Sequence, residues 1–199
     1  MKKWLSISFL IAVFSCIGFL FWYNEWKYSL PTPVPKTYVA VNLGENIDIT
    51  NRFASPKAKP VFLHFFNPDC ACSRFNIPHF KSLVSSYGDA VTFAVVVITT
   101  DTTYTEQSIR AKFDISTPVL FDTSLATSCG VYSTPQAVLL GAEHKLYYRG
   151  NYNRNRYCTD QKTNYAQMAI DSLLANRIPP AFNKYALTAY GCSLEMCKK

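Results

Sequence analysis

Val61-Phe62-Leu63-His64-Phe65-Phe66-Asn67-Pro68-Asp69-Cys70-Ala71-Cys72-Ser73-Arg74 is the stretch from which the fold can be read. Its first six residues are apolar and aromatic, bounded by Pro60 before and Asn67-Pro68-Asp69 after, which suits a short buried strand better than a helix. From Cys70 onward the spacing turns helical, with Phe75, Phe80, Leu83, Val84 and Tyr87 recurring mostly at threes and fours before Gly88. Asp69 is placed to cap that helix, so both cysteines fall in its first turn. Unpaired N–H groups and the positive end of the helix dipole there favour a thiolate, the species that attacks disulfides. The Asp69 carboxylate acts in the opposite sense on Cys70.

The second informative stretch is Gly130-Val131-Tyr132-Ser133-Thr134-Pro135-Gln136-Ala137-Val138-Leu139-Leu140. A proline cannot donate inside a sheet, so Pro135 marks the first residue of a strand or a special turn. A cis Thr134-Pro135 bond would turn the chain and leave the Thr134 backbone free to pair with an extended peptide. A hairpin follows, with Leu146-Tyr147-Tyr148 as its second strand and Gly150 at its end.

In this order, the strand, the cysteine pair at a helix start, Gly-Val-x-x-Thr-Pro and the hairpin resemble the thioredoxin-like superfamily over roughly residues 55–176. The likeness is greatest to the redoxin branch, which includes membrane-anchored, extracytoplasmic thiol–disulfide oxidoreductases. It implies an α/β fold with a central mixed β-sheet flanked by helices. It also implies that Cys70 or Cys72 is the nucleophile and that Thr134 and Pro135 face the substrate. The chain departs from the pattern by carrying Asp69 where the family usually has Trp, and Cys-Ala-Cys-Ser where it has Cys-x-x-Cys. Three arrangements are open. Cys70 and Ser73 could fill the two family positions as a monothiol site. Cys70 and Cys72 could form a tight disulfide, strained because residues two apart on a helix point about 200° from each other. Or one thiol attacks and a distant cysteine resolves, with Cys158 in Asn153-Arg154-Asn155-Arg156-Tyr157-Cys158 the best-placed candidate.

Residues 4–23 carry no charge and follow Met1-Lys2-Lys3. About 20 apolar residues suffice for one transmembrane helix, and the leading lysines favour a cytoplasmic N-terminus with the remainder outside. No small-x-small cleavage site stands out, so the expectation for 1–29 is a retained single-pass anchor in the inner membrane, its domain facing the periplasm. Val13-Phe14-Ser15-Cys16 is a passable lipoprotein box, but the chain stays apolar after it. Residues 30–54 read as a Pro-rich linker, stiffened by Pro31, Pro33 and Pro35, with leading strands at 38–41 and 47–50. Residues 55–199 read as one domain with a C-terminal extension.

Seven cysteines suit an oxidising compartment. Cys158, Cys192 and Cys197 are candidates for a structural bridge, Cys158–Cys192 first, and Cys129 reads as a buried inert thiol. The net charge of +7 is spread out, and no nucleic-acid face is expected. Arg149, Arg154 and Arg156 cluster in sequence, as a solvated or lipid-facing patch or as a patch that stabilises a thiolate. A peroxidase would need Thr or Ser three residues before the attacking cysteine, where Asn67 and Asp69 stand. A Cu(I)-binding role is the rival of a different class, because soft thiolates select that ion. His79 lies too far along the helix to share an ion with Cys72, His144 belongs to a hairpin turn, and His64 reads as a core histidine. The reading is therefore disulfide exchange with protein thiols, no cofactor, and a separate redox partner for electrons. Elsewhere, a buried strand is expected over 91–98, a surface helix over 106–113 and a short strand at 119–121. Tyr165, Met168, Ala169, Ile170, Leu173 and Leu174 are expected on the inner face of a closing helix.

Overall fold

The computed structural model describes residues 2–50, 52 and 59–194. It divides into two units, Met1–Pro31 and Thr32–Lys199. The first is a helix, α1 (Lys2–Ser29), whose segment Lys3–Tyr23 has a mean hydropathy of 2.3. Its 21 residues are long and apolar enough to cross a membrane.

The second unit is built on β1 (Val61–Phe66), every residue of which is buried. β2 (Thr92–Val97) lies parallel to β1 and β3 (Val119–Leu120) parallel to β2, while β5 (Gln136–Leu140) and β6 (Leu146–Gly150) run antiparallel on the other side. The sheet order is thus β3-β2-β1-β5-β6. A separate two-stranded ladder joins β4 (Ser133–Thr134) to β7 (Cys192–Ser193).

Alternation along the strands sends Phe62 and Phe66 to one core, with Phe80, Phe93, Leu139, Tyr148 and Ile170. Leu63 and Phe65 go to the opposite core, with Ala94, Val96, Leu125 and Leu140. A sheet buried on both faces explains the near-continuous apolar runs of β1 and β2. The helices are α2 (Ala71–Tyr87), α3 (Glu106–Phe113), α4 (Thr123–Ser128), α5 (Tyr165–Leu174) and α6 (Lys184–Leu187). This is the thioredoxin-like α/β architecture that the resemblance implied.

Two local expectations need correction. No strand forms at 38–41 or 47–50; there the structure has only an isolated Asn46–Lys145 bridge. The alternation at 47–50 instead buries Ile47 and Ile49 against the second core, while backbone bonds such as Ile47 N to the His144 carbonyl (3.0 Å) tie the segment to the hairpin. On α2, Phe75 is exposed and meets Tyr157 edge to face at 5.0 Å. Met168 and Leu174 are likewise exposed, and α5 buries Tyr165, Ala166, Ala169 and Ile170. The expected boundary at 54/55 and Cys197 lie outside the described residues.

Candidate active site around Cys70

Where β1 ends, Asn67 organises the turn. Its side-chain oxygen accepts from Asp69 N (2.8 Å), its carbonyl accepts from Cys70 N (3.2 Å), and its own N–H donates to Ser73 Oγ (3.2 Å). Ser73 is therefore a buried latch between turn and helix. The N-cap of α2 is Cys70, not Asp69. The Asp69 carboxylate faces away from a capping role and accepts from Tyr104 Oη (2.9 Å). Cys70 thus stands just ahead of the first unpaired N–H groups of a 17-residue helix, the position that stabilises sulfur in its anionic form.

The facing wall is the Thr134-Pro135 loop, whose peptide bond is cis. Its strand β4 pairs antiparallel with β7, Ser133 opposite Ser193 and Thr134 opposite Cys192. That register brings Cys192 across from Thr134 and into a disulfide with Cys70, the two Cα atoms 6.6 Å apart across 122 residues of chain. The Cys70 sulfur lies 3.9 Å from the Thr134 carbonyl oxygen.

The other side of the 189–194 segment is held by Thr32. Its N–H donates to the Ala189 carbonyl (2.8 Å), and its hydroxyl donates to the Gly191 carbonyl (3.1 Å) and meets Ser133 Oγ at 3.0 Å. Leu194 N donates to the Tyr132 carbonyl (3.3 Å). The segment is thus held by Thr32 at Ala189 and Gly191 and by the β4–β7 ladder at Cys192 and Ser193.

The pairing corrects two sequence expectations. Cys70 and Cys72 do not bridge, since Cys72 follows the helix inward and Cys70 points out to the incoming strand. Cys158 bridges neither Cys70 nor Cys192. Cys72 and Cys158 are free thiols drawn together by Asn76, which donates to the Cys72 carbonyl (3.1 Å) and accepts from the Cys158 thiol (3.2 Å). Burial raises the Cys72 pKa, with the Arg156 cation opposing it. Burial pushes Cys158 and Cys129 up to about 12, so both are inert thiols.

The three arginines do not form one patch. Arg149 donates inward to the carbonyls of Val41 (2.9 Å) and Cys129 (3.0 Å), and Gly130, at φ +66°, is the residue whose missing side chain makes room for it. Arg154 sits over the Tyr185 ring, and only Arg156 acts on a cysteine of the site. His64 is fully buried, its Nδ1 2.6 Å from Tyr152 Oη, and burial holds its pKa at about 3. Near the site, the buried atoms Asn67 Nδ2, Thr134 Oγ1 and Gln136 Oε1 lack hydrogen-bond partners among the described residues. Among those residues no three His, Cys, Asp or Glu side chains converge as a metal-binding group.

The structure brings Cys70 and the Thr134-Pro135 loop together; Cys192, read from sequence only as a structural-bridge candidate, and Thr32 were not expected beside them. The Gly191-Cys192 dipeptide was the sole local mark of β7.

The chain belongs to the family described as "Domain of unknown function (DUF6436)", which matches residues 42–196. No curated protein matches it significantly. Among solved structures it is similar to a hypothetical protein from Sinorhizobium meliloti 1021, at 16% identity and TM-score 0.63, covering 79% of this chain and 96% of that one. It is also similar to an uncharacterized conserved protein from Geobacillus kaustophilus, at 16% identity and TM-score 0.61, with coverages of 82% and 97%. A weaker likeness, at 16% identity and TM-score 0.47, is to a thiol:disulfide interchange protein of the thioredoxin family from Chlorobium tepidum TLS, covering 59% and 81%. At these identities the likeness is one of fold.

Proposed function

We propose that this DUF6436 chain is a membrane-anchored thiol–disulfide oxidoreductase whose working couple is Cys70–Cys192. The observation that carries this is the disulfide itself, formed at a helix N-terminus against the backbone of the Thr134-Pro135 loop. In the reducing direction the Cys70 thiolate attacks one sulfur of a substrate disulfide, and the other substrate sulfur leaves as a thiolate. The Cys192 thiolate then attacks Cys70 in the mixed disulfide, releasing the second substrate thiolate and closing Cys70–Cys192. Two electrons pass to the substrate, and a partner redox protein restores the dithiol. Run backwards, the same steps donate a disulfide.

Asn67 Nδ2 and the open N–H groups of α2 are donors suited to the Cys70 thiolate, while Thr134 and Pro135 present the backbone edge to the partner. Cys72, Ser73 and Asp69 take supporting places: an unbridged thiol, the latch of the turn, and the Tyr104 partner. The extracytoplasmic address rests on the Lys3–Tyr23 segment preceded by lysines and on cysteine usage that suits an oxidising compartment.

The test is redox titration of the full chain in detergent against glutathione buffers, counting free thiols by mass. A reversible two-electron couple that survives Cys72→Ser and is lost in both Cys70→Ser and Cys192→Ser is expected, and its potential gives the direction of electron flow. A couple lost in Cys72→Ser but kept in Cys192→Ser would refute the assignment. If no reversible thiol couple forms anywhere in the range, oxidoreduction is refuted, and Cu(I) titration of the same protein becomes the next measurement.

A further inference from the structure

We infer that the edge of Ser133–Thr134 is a binding site for extended segments bearing Gly-Cys, and that residues 189–194 are its internal occupant. This rests on the oxidoreductase reading above and names its substrate class.

The segment reads Ala189-Tyr190-Gly191-Cys192-Ser193-Leu194. Thr134 opposite Cys192 sets which residue reaches Cys70, so whatever lies one residue earlier must pass beneath the Thr134 carbonyl. At Gly191 an added Cβ would collide with that carbonyl oxygen, lie 3.0 Å from its carbon and come within 3.1 Å of Ser133 Oγ. The colliding atoms are backbone of the buried strand β4, so they cannot swing aside as a side-chain tip would. Glycine is required there by contact. Two positions after Cys192, Leu194 is partly buried and packs against the second core, so the edge takes an apolar residue at that place. Between them Ser193 is buried opposite Ser133, where a small residue fits. The recognised pattern is Gly-Cys-small-apolar in an extended strand, bound by main-chain pairing as in other strand additions.

The segment and a substrate strand need the same edge, so they exclude each other. In the oxidised protein Cys192 is covalently held and the edge is filled. Reduction frees the segment to lift, and the edge then accepts a partner.

The test uses the full-length Cys192→Ser variant in detergent, which stops at the mixed disulfide, and two acetylated, amidated peptides, Tyr-Gly-Cys-Ser-Leu and Tyr-Ala-Cys-Ser-Leu. Each carries nitrothiobenzoate on its cysteine. The Cys70 thiolate, its proton given to solvent, attacks the peptide sulfur; the Cys70–peptide disulfide forms and nitrothiobenzoate thiolate leaves, with no net change in electrons. The serine segment competes equally against both peptides, and their intrinsic reactivities are normalised with glutathione. The glycine peptide is expected to react faster by about tenfold, the consequence of forcing one methyl into a packed contact. A normalised ratio below about threefold overturns the inference while leaving the oxidoreductase reading intact. Failure of both peptides to form the mixed disulfide overturns both. As a second readout, Gly191→Ala in the otherwise native chain should shift the Cys70–Cys192 equilibrium toward the dithiol by about tenfold, and an unchanged equilibrium counts against the inference.

Discussion

Replacing Thr32 by valine tests how far docking of the 189–194 segment sets the redox couple. Valine keeps the branched shape and the N–H bond to Ala189 but deletes the hydroxyl. In the structure that hydroxyl completes a relay: Ser133 Oγ donates to Thr32 Oγ1, which donates to the Gly191 carbonyl, at 3.0 and 3.1 Å. Thr32 is 5% exposed and Ser133 0%, so water cannot replace the lost partner while the segment is docked. A buried polar group left unpaired costs about 1–3 kcal/mol. The cost falls on docked states only, because once the segment lifts, water reaches both hydroxyls. The disulfide form must be docked; the dithiol form is free to undock. Oxidation therefore becomes harder, and the potential should rise by about 20–65 mV, at about 30 mV per 1.4 kcal/mol. Glutathione titration of the full chain in detergent, quenched by acid and read by intact mass after alkylation, measures it. A potential unchanged to within about 5 mV would mean that the segment stays docked in both states, and a fall would reverse the sign; either result refutes the reasoning.

In the native dithiol protein at pH 8, iodoacetamide should label Cys70 and Cys192 long before Cys129 and Cys158, whose thiols burial holds at about 12, and labelling of either of those two first, by peptide mapping, would contradict their placement. Removing the opposing cation with Arg156→Gln should raise the Cys72 pKa further, moving its alkylation profile to higher pH. His64 makes the protein acid-sensitive. Its folded pKa of about 3 lies below the usual 6.5, so the unfolded chain binds the proton first, and stability falls as pH drops from about 6.5 toward 3, by up to about 1.4 kcal/mol per unit. His64→Phe should lower stability at pH 7, by orphaning Tyr152 Oη, yet flatten that acid slope; urea midpoints at pH 7 and pH 4 would show an unaltered slope if His64 is not the group.

What the sequence made legible was whatever local contacts decide. An apolar run between Pro60 and Asn67 specified β1, and a proline ahead of five apolar or amide residues specified the turn into β5. Alternation at Ile47 and Ile49 reported burial correctly but not pairing, since burial needs only a neighbour whereas a ladder needs a matching edge. The spacing from Phe75 onward marked α2 as a helix but not its inner face at the start, where Ser73 and Asn76 lie inside and the aromatic outside. Cys192 was read as a bridging cysteine but given the wrong partner. Its position follows from a two-residue ladder that joins positions 58 residues apart, Thr134 and Cys192, and no periodicity within 189–194 encodes that register.

For the couple proposed above, the same register explains why Cys192, and not Cys72, meets Cys70. Residues two apart at a helix start diverge by about 200°, so Cys72 would have to unwind α2 to reach Cys70. Cys192 reaches it from the strand paired with Thr134, which leaves the helix intact. If the proposed mechanism holds, the arrangement carries a consequence for turnover. A bound substrate strand and the 189–194 segment cannot both lie along Ser133–Thr134, so Cys192 reaches the mixed disulfide only as the substrate strand peels away. Resolution then slows as the substrate's main-chain pairing tightens, and the best-bound peptide is not the one released fastest. Selectivity on this edge must come from fit at the Gly-Cys step, where a clash is decided during attack, more than from the length of strand that pairs.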